Sequence, residues 1–269
     1  MTQVELRENE RIDDLLTRQL KIIQSPEVFS FSMDAVLLAR FCSVPAKGKI
    51  LDMCTGNGVI PLLLSTRTKA HISGIEIQER LYDMAVRSVR LNGLERQLEM
   101  LHGDLRDLHK QTGYGSFDAI TVNPPYLPVN AGEQNVNEYV AIARHEIFAT
   151  LEEVIAAAAR LVKPGGKVAM VHRPSRVTEI LTLLRDYRLE PKRIRFVHPR
   201  AEQEANMVLI ETIRDGRPEV RLLPPLIVYR NETEYCQELM DIYYGQKDRL
   251  IENGGGQDEH TEKLCPNPI

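Results

Sequence analysis

Apolar residues fall along the chain in two alternating patterns, short β-branched runs and longer stretches at helical spacing. Residues 49–64 (Lys-Ile-Leu-Asp-Met-Cys-Thr-Gly-Asn-Gly-Val-Ile-Pro-Leu-Leu-Leu) read as a strand, a glycine turn and a helix. A second strand is predicted over 71–76. It leads to an amphipathic helix over 79–93, closed by Asn92-Gly93. Strand three covers 98–102 and strand four 117–122, where Pro124 and Pro125, having no N–H to donate, must end it at Asn123. A helix through 156–161 stops at Lys163-Pro164-Gly165-Gly166, and a fifth strand follows at 167–172. A helix over 175–187 precedes strands at 193–198 and 206–212. Five β-α units and a closing pair predict an α/β fold, a doubly wound, seven-stranded, mainly parallel sheet with an antiparallel last strand.

The flanks are less regular. Residues 1–28 are polar, with a short helix expected and a strand-like 20–24. Ser32 marks the N-cap of a helix expected to lid a cofactor, with Asp34 in its first turn near the charged end of that cofactor, where an acid also favours the helix dipole. A long connector rich in Asn, Glu and Gly spans 129–140, and a short helix lies near 232–243. The expected organisation is an extension with lid helix at 1–48, a core at 49–214, a second extension at 215–251 and a disordered tail at 252–269.

Composition narrows the partners. The chain has 269 residues, 43% hydrophobic, enough for one large core. It contains no run of about 18 apolar residues to span a membrane. The charged N-terminus lacks an apolar signal region, and Cys42, Cys54, Cys236 and Cys265 form no CxxC pair or metal-ligand spacing. A cytoplasmic protein with reduced thiols and no metal is expected. At a net charge of −4, any RNA surface must be local. The local candidate is Lys192, Arg193, Arg195, His198 and Arg200.

The chemistry concentrates at Asn123-Pro124-Pro125-Tyr126, a polar side chain at a strand's carboxyl end followed by a rigid loop and an aromatic. The Asn123 side-chain carbonyl and the Pro124 backbone carbonyl can each accept one N–H of a planar amine. Accepting both draws the nitrogen toward tetrahedral geometry and frees its lone pair for a methyl donor. Tyr126 offers a stacking face. Upstream, the Gly56–Gly58 turn lets backbone approach a ligand, and Glu76, about 20 residues on, stands where a carboxylate can accept from both ribose hydroxyls. Asp104, after the third strand, is placed to accept from an adenine amino group.

This order of elements resembles the class I S-adenosylmethionine-dependent methyltransferases, in the branch that methylates amino groups. Phe31 to Leu38, Gly74 to Gln78 and Val197-His198-Pro199-Arg200 are similar to bacterial tRNA adenine-N6-methyltransferases that act beside the anticodon of valine tRNA. The resemblance implies a Rossmann-like class I fold and S-adenosylmethionine as cofactor. It assigns Asp34, Asp52, Thr55, Gly56, Gly58, Glu76, Ile77, Asp104, Leu105 and Asn123 to that cofactor, and Asn123, Pro124 and Tyr126 to catalysis. Tyr126, Arg144, Lys192, Arg193, Arg195, His198 and Arg200 would contact tRNA. The family's first turn glycine is Cys54 here, and because Cys carries a Cβ it is expected at negative φ, away from tight ligand contact. Methylation of rRNA guanine N2 or of a release-factor glutamine, and a non-catalytic RNA-binding protein, are the competing readings.

Overall fold

A computed structural model describes residues 4–28, 32–126 and 149–245. The elements at its centre are β3 (Lys49–Met53), α2 (Val59–Ser65), β4 (His71–Glu76), α3 (Glu79–Leu91), β5 (Leu98–His102), α4 (His109–Thr112) and β6 (Phe117–Val122), alternating as the sequence pattern predicts except that no helix was expected at α4. They continue through α5 (Leu151–Leu161), β7 (Val162–His172), α6 (Val177–Asp186), β8 (Leu189–His198) and β9 (Met207–Arg214). Before them lie β1 (Arg11–Asp14), β2 (Lys21–Gln24) and α1 (Met33–Phe41). After them come β10 (Arg221–Leu222), β11 (Leu226–Ile227) and α7 (Gln237–Tyr243).

Eight strands run β10-β8-β9-β7-β6-β3-β4-β5 across one sheet, with β11 also pairing β8 as the ninth. Only β9 pairs antiparallel to its neighbours, inserted between β7 and β8. The seven expected strands are therefore joined by two short ones, and residues 221–227 extend the core sheet. Successive side chains serve opposite faces, as a pleated strand requires. Ile50 packs with α1, α2 and α3, whereas its neighbour Leu51 packs with α5 and α6; Ala169 and Met170 divide in the same way. A sheet covered on both faces needs near-continuous apolar strands, and β3, β4, β6, β7 and β9 supply them.

Two local expectations are corrected. The short helix expected in residues 1–28 is a β-hairpin, β1 with β2. The outer edge of β2 is sewn to α3, where Ser88 Oγ accepts from Ile23 N at 3.0 Å and Asn92 exchanges two bonds with the Lys21 backbone. Those partners lie far along the chain, which is why local pattern does not reveal them. The fifth strand begins at Val162, because Val162–Gly166 continues the β6 pairing through a register shift between Phe117 and Ala119.

Candidate functional site

Strand register brings the predicted residues to one edge. Met53 pairs with Val122 on one side and Ile75 on the other, and Val122 pairs with Met170. One residue further, Cys54, Asn123, Glu76 and Val171 therefore stand beside one another at adjacent carboxyl ends, about 4.8 Å per strand. His102 pairs with Glu76 and extends the row. The β3–β6 neighbour pair is also where strand order reverses, the position at which open α/β sheets bind ligands.

The glycine turn is built by a buried carboxylate. Asp52 is 0% exposed, and its oxygens accept from Thr55 Oγ1 and Thr121 Oγ1, each at 2.6 Å. Burial pushes its carboxyl up to about 7 despite both bonds. Asp52 and Thr55, the latter 3% exposed, thus shape the turn from beneath. Gly58 is buried too; a Cβ there would stand 3.3 Å from Ala85 Cβ, so this glycine admits α3 packing. Gly56 differs. It lies half-exposed at φ +57, and the space where a Cβ would project is open. Cys54 also sits at φ +57, contrary to the expected negative value. The turn imposes the left-handed backbone that the family's glycine adopts freely, and Cys tolerates it at a strain cost of about 1 kcal/mol.

Glu76 fits a polyhydroxyl ligand. Its Oε2 accepts from Gly56 N at 2.8 Å, and its Oε1 accepts from Ile77 N and Gln78 N at 3.0 and 2.9 Å. A carboxylate has about four acceptor positions, so one remains for a ribose hydroxyl. Burial raises its pKa. Two residues on, the Gln78 side-chain Oε1 is buried and accepts no hydrogen bond. Gln78 was not among the residues expected to bind; its sequence signal is a polar residue at the N-cap of α3, two places after the acid. Ile77 is half-buried, and its carbonyl lies 3.0 Å from His102 Nε2.

Asp104 differs from expectation. Both its oxygens are held by Arg106, whose Nη2 lies 2.5 Å from Oδ2, and this guanidinium keeps its carboxyl below the usual range. Arg106 also reaches Glu153 at 3.0 Å. A ligand amino group must displace this arginine. Leu105 is buried in the core and packs beneath the site.

At the other end of the row, the Asn-Pro-Pro-Tyr turn meets α1. The Tyr126 hydroxyl lies 2.6 Å from Oδ2 of Asp34 and 2.5 Å from Oδ1 of Asn123. Burial, followed by the Asp34 charge, pushes the Tyr126 hydroxyl well above its ordinary pKa. Asp34 is itself buried, its Oδ1 accepting from Ser32 Oγ at 2.5 Å and Ala35 N at 2.7 Å. Ser32 occupies the N-cap as expected, but its hydroxyl serves Asp34 instead of capping α1. Pro124 is buried beside Asn123.

Two further residues were not anticipated. His172 closes β7 and meets the Tyr126 ring edge-on at 5.1 Å, while the exposed Arg173 guanidinium lies 5.3 Å from its centroid. The His172 Nδ1 accepts from Arg173 N, its Nε2 has no hydrogen-bond partner, and burial lowers its pKa to about 4. Neither residue stands in a recognisable motif, and only the parallel pairing of β7 beside β6 brings them here.

The basic cluster is not one free face. Arg193 pairs with Glu211 at 2.9 Å and donates to Phe41 O, and Arg195 grips both oxygens of Glu238 at 2.9 Å. These two bind β8 to β9, α1 and α7. Lys192 donates to Arg217 O at 3.1 Å, His198 Nδ1 lies 2.8 Å from Gln203 O, and Arg200 covers Tyr229. Arg144, the 129–140 connector and the 252–269 tail lie outside the described residues. Among the described residues, no three His, Cys, Asp or Glu side chains gather to hold a metal ion, and no helix is long and apolar enough to cross a membrane.

Comparisons with known proteins place the chain in a family. The profile of the methyltransferase small domain matches residues 19–188. A relative from Aeromonas salmonicida, named tRNA1(Val) (adenine(37)-N6)-methyltransferase, is 31% identical over 66% of this chain and 73% of its own. A Porphyromonas gingivalis protein of the same name is 28% identical over 72% and 78%. Among solved structures, an Agrobacterium tumefaciens protein described as a predicted O-methyltransferase superposes with a TM-score of 0.64 at 22% identity. It covers 79% of this chain and 96% of its own, a likeness of fold alone.

Proposed function

Because the chain belongs to the methyltransferase small domain family, we propose that it transfers a methyl group from S-adenosylmethionine to the N6 amino group of an adenosine in the tRNA anticodon loop, at position 37 of valine tRNA. The observation that carries this reading is the placement of Asn123 and Pro124 one step beyond the paired Met53 and Val122, beside the open Gly56 turn. The names of the two relatives supply the nucleotide and the tRNA.

When bound, S-adenosylmethionine supplies an electrophilic methyl group on a cationic sulfur. Glu76 and Gln78 would hold its ribose through their remaining acceptor positions, and Gly56 would admit its chain over the turn. Asn123 and the Pro124 carbonyl would accept the two N–H bonds of the target amine, turning its lone pair toward the methyl group. The prolines keep that acceptor pair rigid, so little reorganisation is needed as charge develops. The base would be splayed out of its stack toward the Tyr126 ring. Arg144, Lys192, His198 and Arg200 stand as the remaining RNA contacts in this reading. The amine becomes acidic as it alkylates, so no strong base is required beside it.

The test is incubation with labelled cofactor and bulk tRNA, ribosomal RNA or release factor, followed by digestion of the RNA to nucleosides. Label in N6-methyladenosine is expected. Label in N2-methylguanosine or on the protein would replace this reading by one of its rivals, and no incorporation would favour a binding protein.

A further inference from the structure

We infer that Asp34 is a positioning residue which, acting through the Tyr126 hydroxyl, fixes the direction of the Asn123 amide so that its carbonyl oxygen faces the target amine. The inference rests on the role proposed for Asn123 and adds a control over it. Three oxygens meet at this point, Oδ2 of Asp34, the Tyr126 hydroxyl and Oδ1 of Asn123, with separations of 2.6 and 2.5 Å. They share one proton. A hydroxyl can donate only once, so one of these contacts must be made the other way.

The surroundings decide which. Oδ1 of Asp34 is already committed, accepting from Ala35 N and Ser32 Oγ. A backbone N–H cannot reverse its role, so this end of the carboxyl group is always an acceptor. The other oxygen carries the group's charge toward Tyr126 and takes the hydroxyl proton in a charge-assisted bond, stronger than one to a neutral amide. The lone pairs left on the Tyr126 oxygen then face Asn123. An amide oxygen there, at 2.5 Å, would meet lone pair with lone pair. A half-turn of the amide, which exchanges two atoms of nearly equal size, replaces that repulsion with an Nδ2–H donating to Tyr126. The carbonyl oxygen is then left on the opposite side, free to accept from the substrate. Acceptance is the whole contribution asked of Asn123, because an NH2 group presented to an NH2 group would repel it.

Asp34→Asn tests the direction without changing the shape. The Ala35 N–H still requires an oxygen at Oδ1, so the new amide nitrogen faces Tyr126 and donates to it. The Tyr126 hydroxyl must then donate to Asn123, which turns its carbonyl away from the amine. The number of hydrogen bonds is preserved and their sense reversed. A merely structural role predicts little change, whereas the relay predicts transfer slowed about 10-fold or more, approaching the roughly 100-fold expected when a preorganised group is lost outright.

The experiment measures single-turnover methyl transfer from labelled S-adenosylmethionine to bulk tRNA, with cofactor affinity by calorimetry and folding by thermal melts, for Asp34→Asn, Tyr126→Phe, the double variant and Asn123→Ala. Expected are slow transfer by Asp34→Asn with cofactor affinity within about 2-fold of the parent, and a double variant no slower than Tyr126→Phe, since removing the hydroxyl cuts the relay. Transfer by Asp34→Asn within 2-fold of the parent overturns the relay, as do a loss of cofactor affinity or strictly additive losses in the double variant. Should Asp34→Asn not fold, Tyr126→Phe decides, and an unchanged rate there overturns it. If Asn123→Ala transfers normally, the reading of Asn123 itself has failed; if only that variant is inactive, the relay alone has.

Discussion

Thr121 and Asp52 sit directly opposite one another on neighbouring parallel strands, and the threonine hydroxyl donates to the carboxylate at 2.6 Å. A second hydroxyl, from Thr55, reaches its other oxygen at the same distance. These bonds do not offset burial, and the group's pKa in the fold is about 7 against 3.8 for an ordinary aspartate.

The sign of the pH effect follows. Between about 4 and 7 the folded chain keeps a proton on Asp52 that the unfolded chain has lost, so stability falls as pH rises through that window and levels off above it. His172, lowered to about 4 from 6.5, acts oppositely, with stability rising between those values. Asp52→Asn should remove the first trend and leave the second. Because Glu76, also raised by burial, titrates in both proteins, the difference is read: the denaturant midpoint of the parent relative to the variant should fall between about pH 4 and 7 and stay constant from 7 to 8, and parallel profiles would refute the assignment.

Replacing Asn123 by Ala removes one of the two acceptors proposed for the amine. Methyl transfer should fall by about two orders of magnitude, with cofactor affinity little changed. Rapid-quench measurement of the transfer step checks this, and an unimpaired rate would take Asn123 out of the mechanism.

The glycine turn is also braced from outside. Asn57 Nδ2 donates to the Ile23 carbonyl at 3.0 Å, joining the turn to the N-terminal hairpin across buried ground. Asn57→Ala strands that carbonyl, which costs about 1–3 kcal/mol. The melting temperature should drop by several degrees, as calorimetry can establish.

Arg193 and Arg200 carry the same charge into different surroundings. Glu211, the partner of Arg193, is only 4% exposed, so Arg193→Ala leaves a buried carboxylate unpaired at a cost of about 3 kcal/mol or more. Arg200→Ala should leave the melting temperature within a degree or two and weaken tRNA binding, with a shallower salt dependence. Filter binding at two salt concentrations, alongside melts, separates the two effects.

Much of this was written locally. A strand must stop where two prolines follow it, a helix must begin after a glycine turn, and an acid at the end of the next strand must lie beside that turn. The first two depend on residues within a few places of one another and the third on one strand-turn-helix-strand unit, so the succession of elements, and the places of Gly56, Glu76 and Asn123 at strand ends, could be read from the chain alone, while strand pairing set them side by side. What tertiary structure decided is how each polar group is satisfied. Asp52 turns inward to two threonines, Arg193 and Arg195 pair with carboxylates on other elements, Arg106 claims Asp104, and Cys54 accepts a left-handed backbone. Asp34 and Tyr126 bond although they are 92 residues apart. Backbone preferences are set by near neighbours, but the partner of a buried charge or hydroxyl is whichever group the packed layers bring within 3 Å, and that is known only once the sheet and its helices have closed around it.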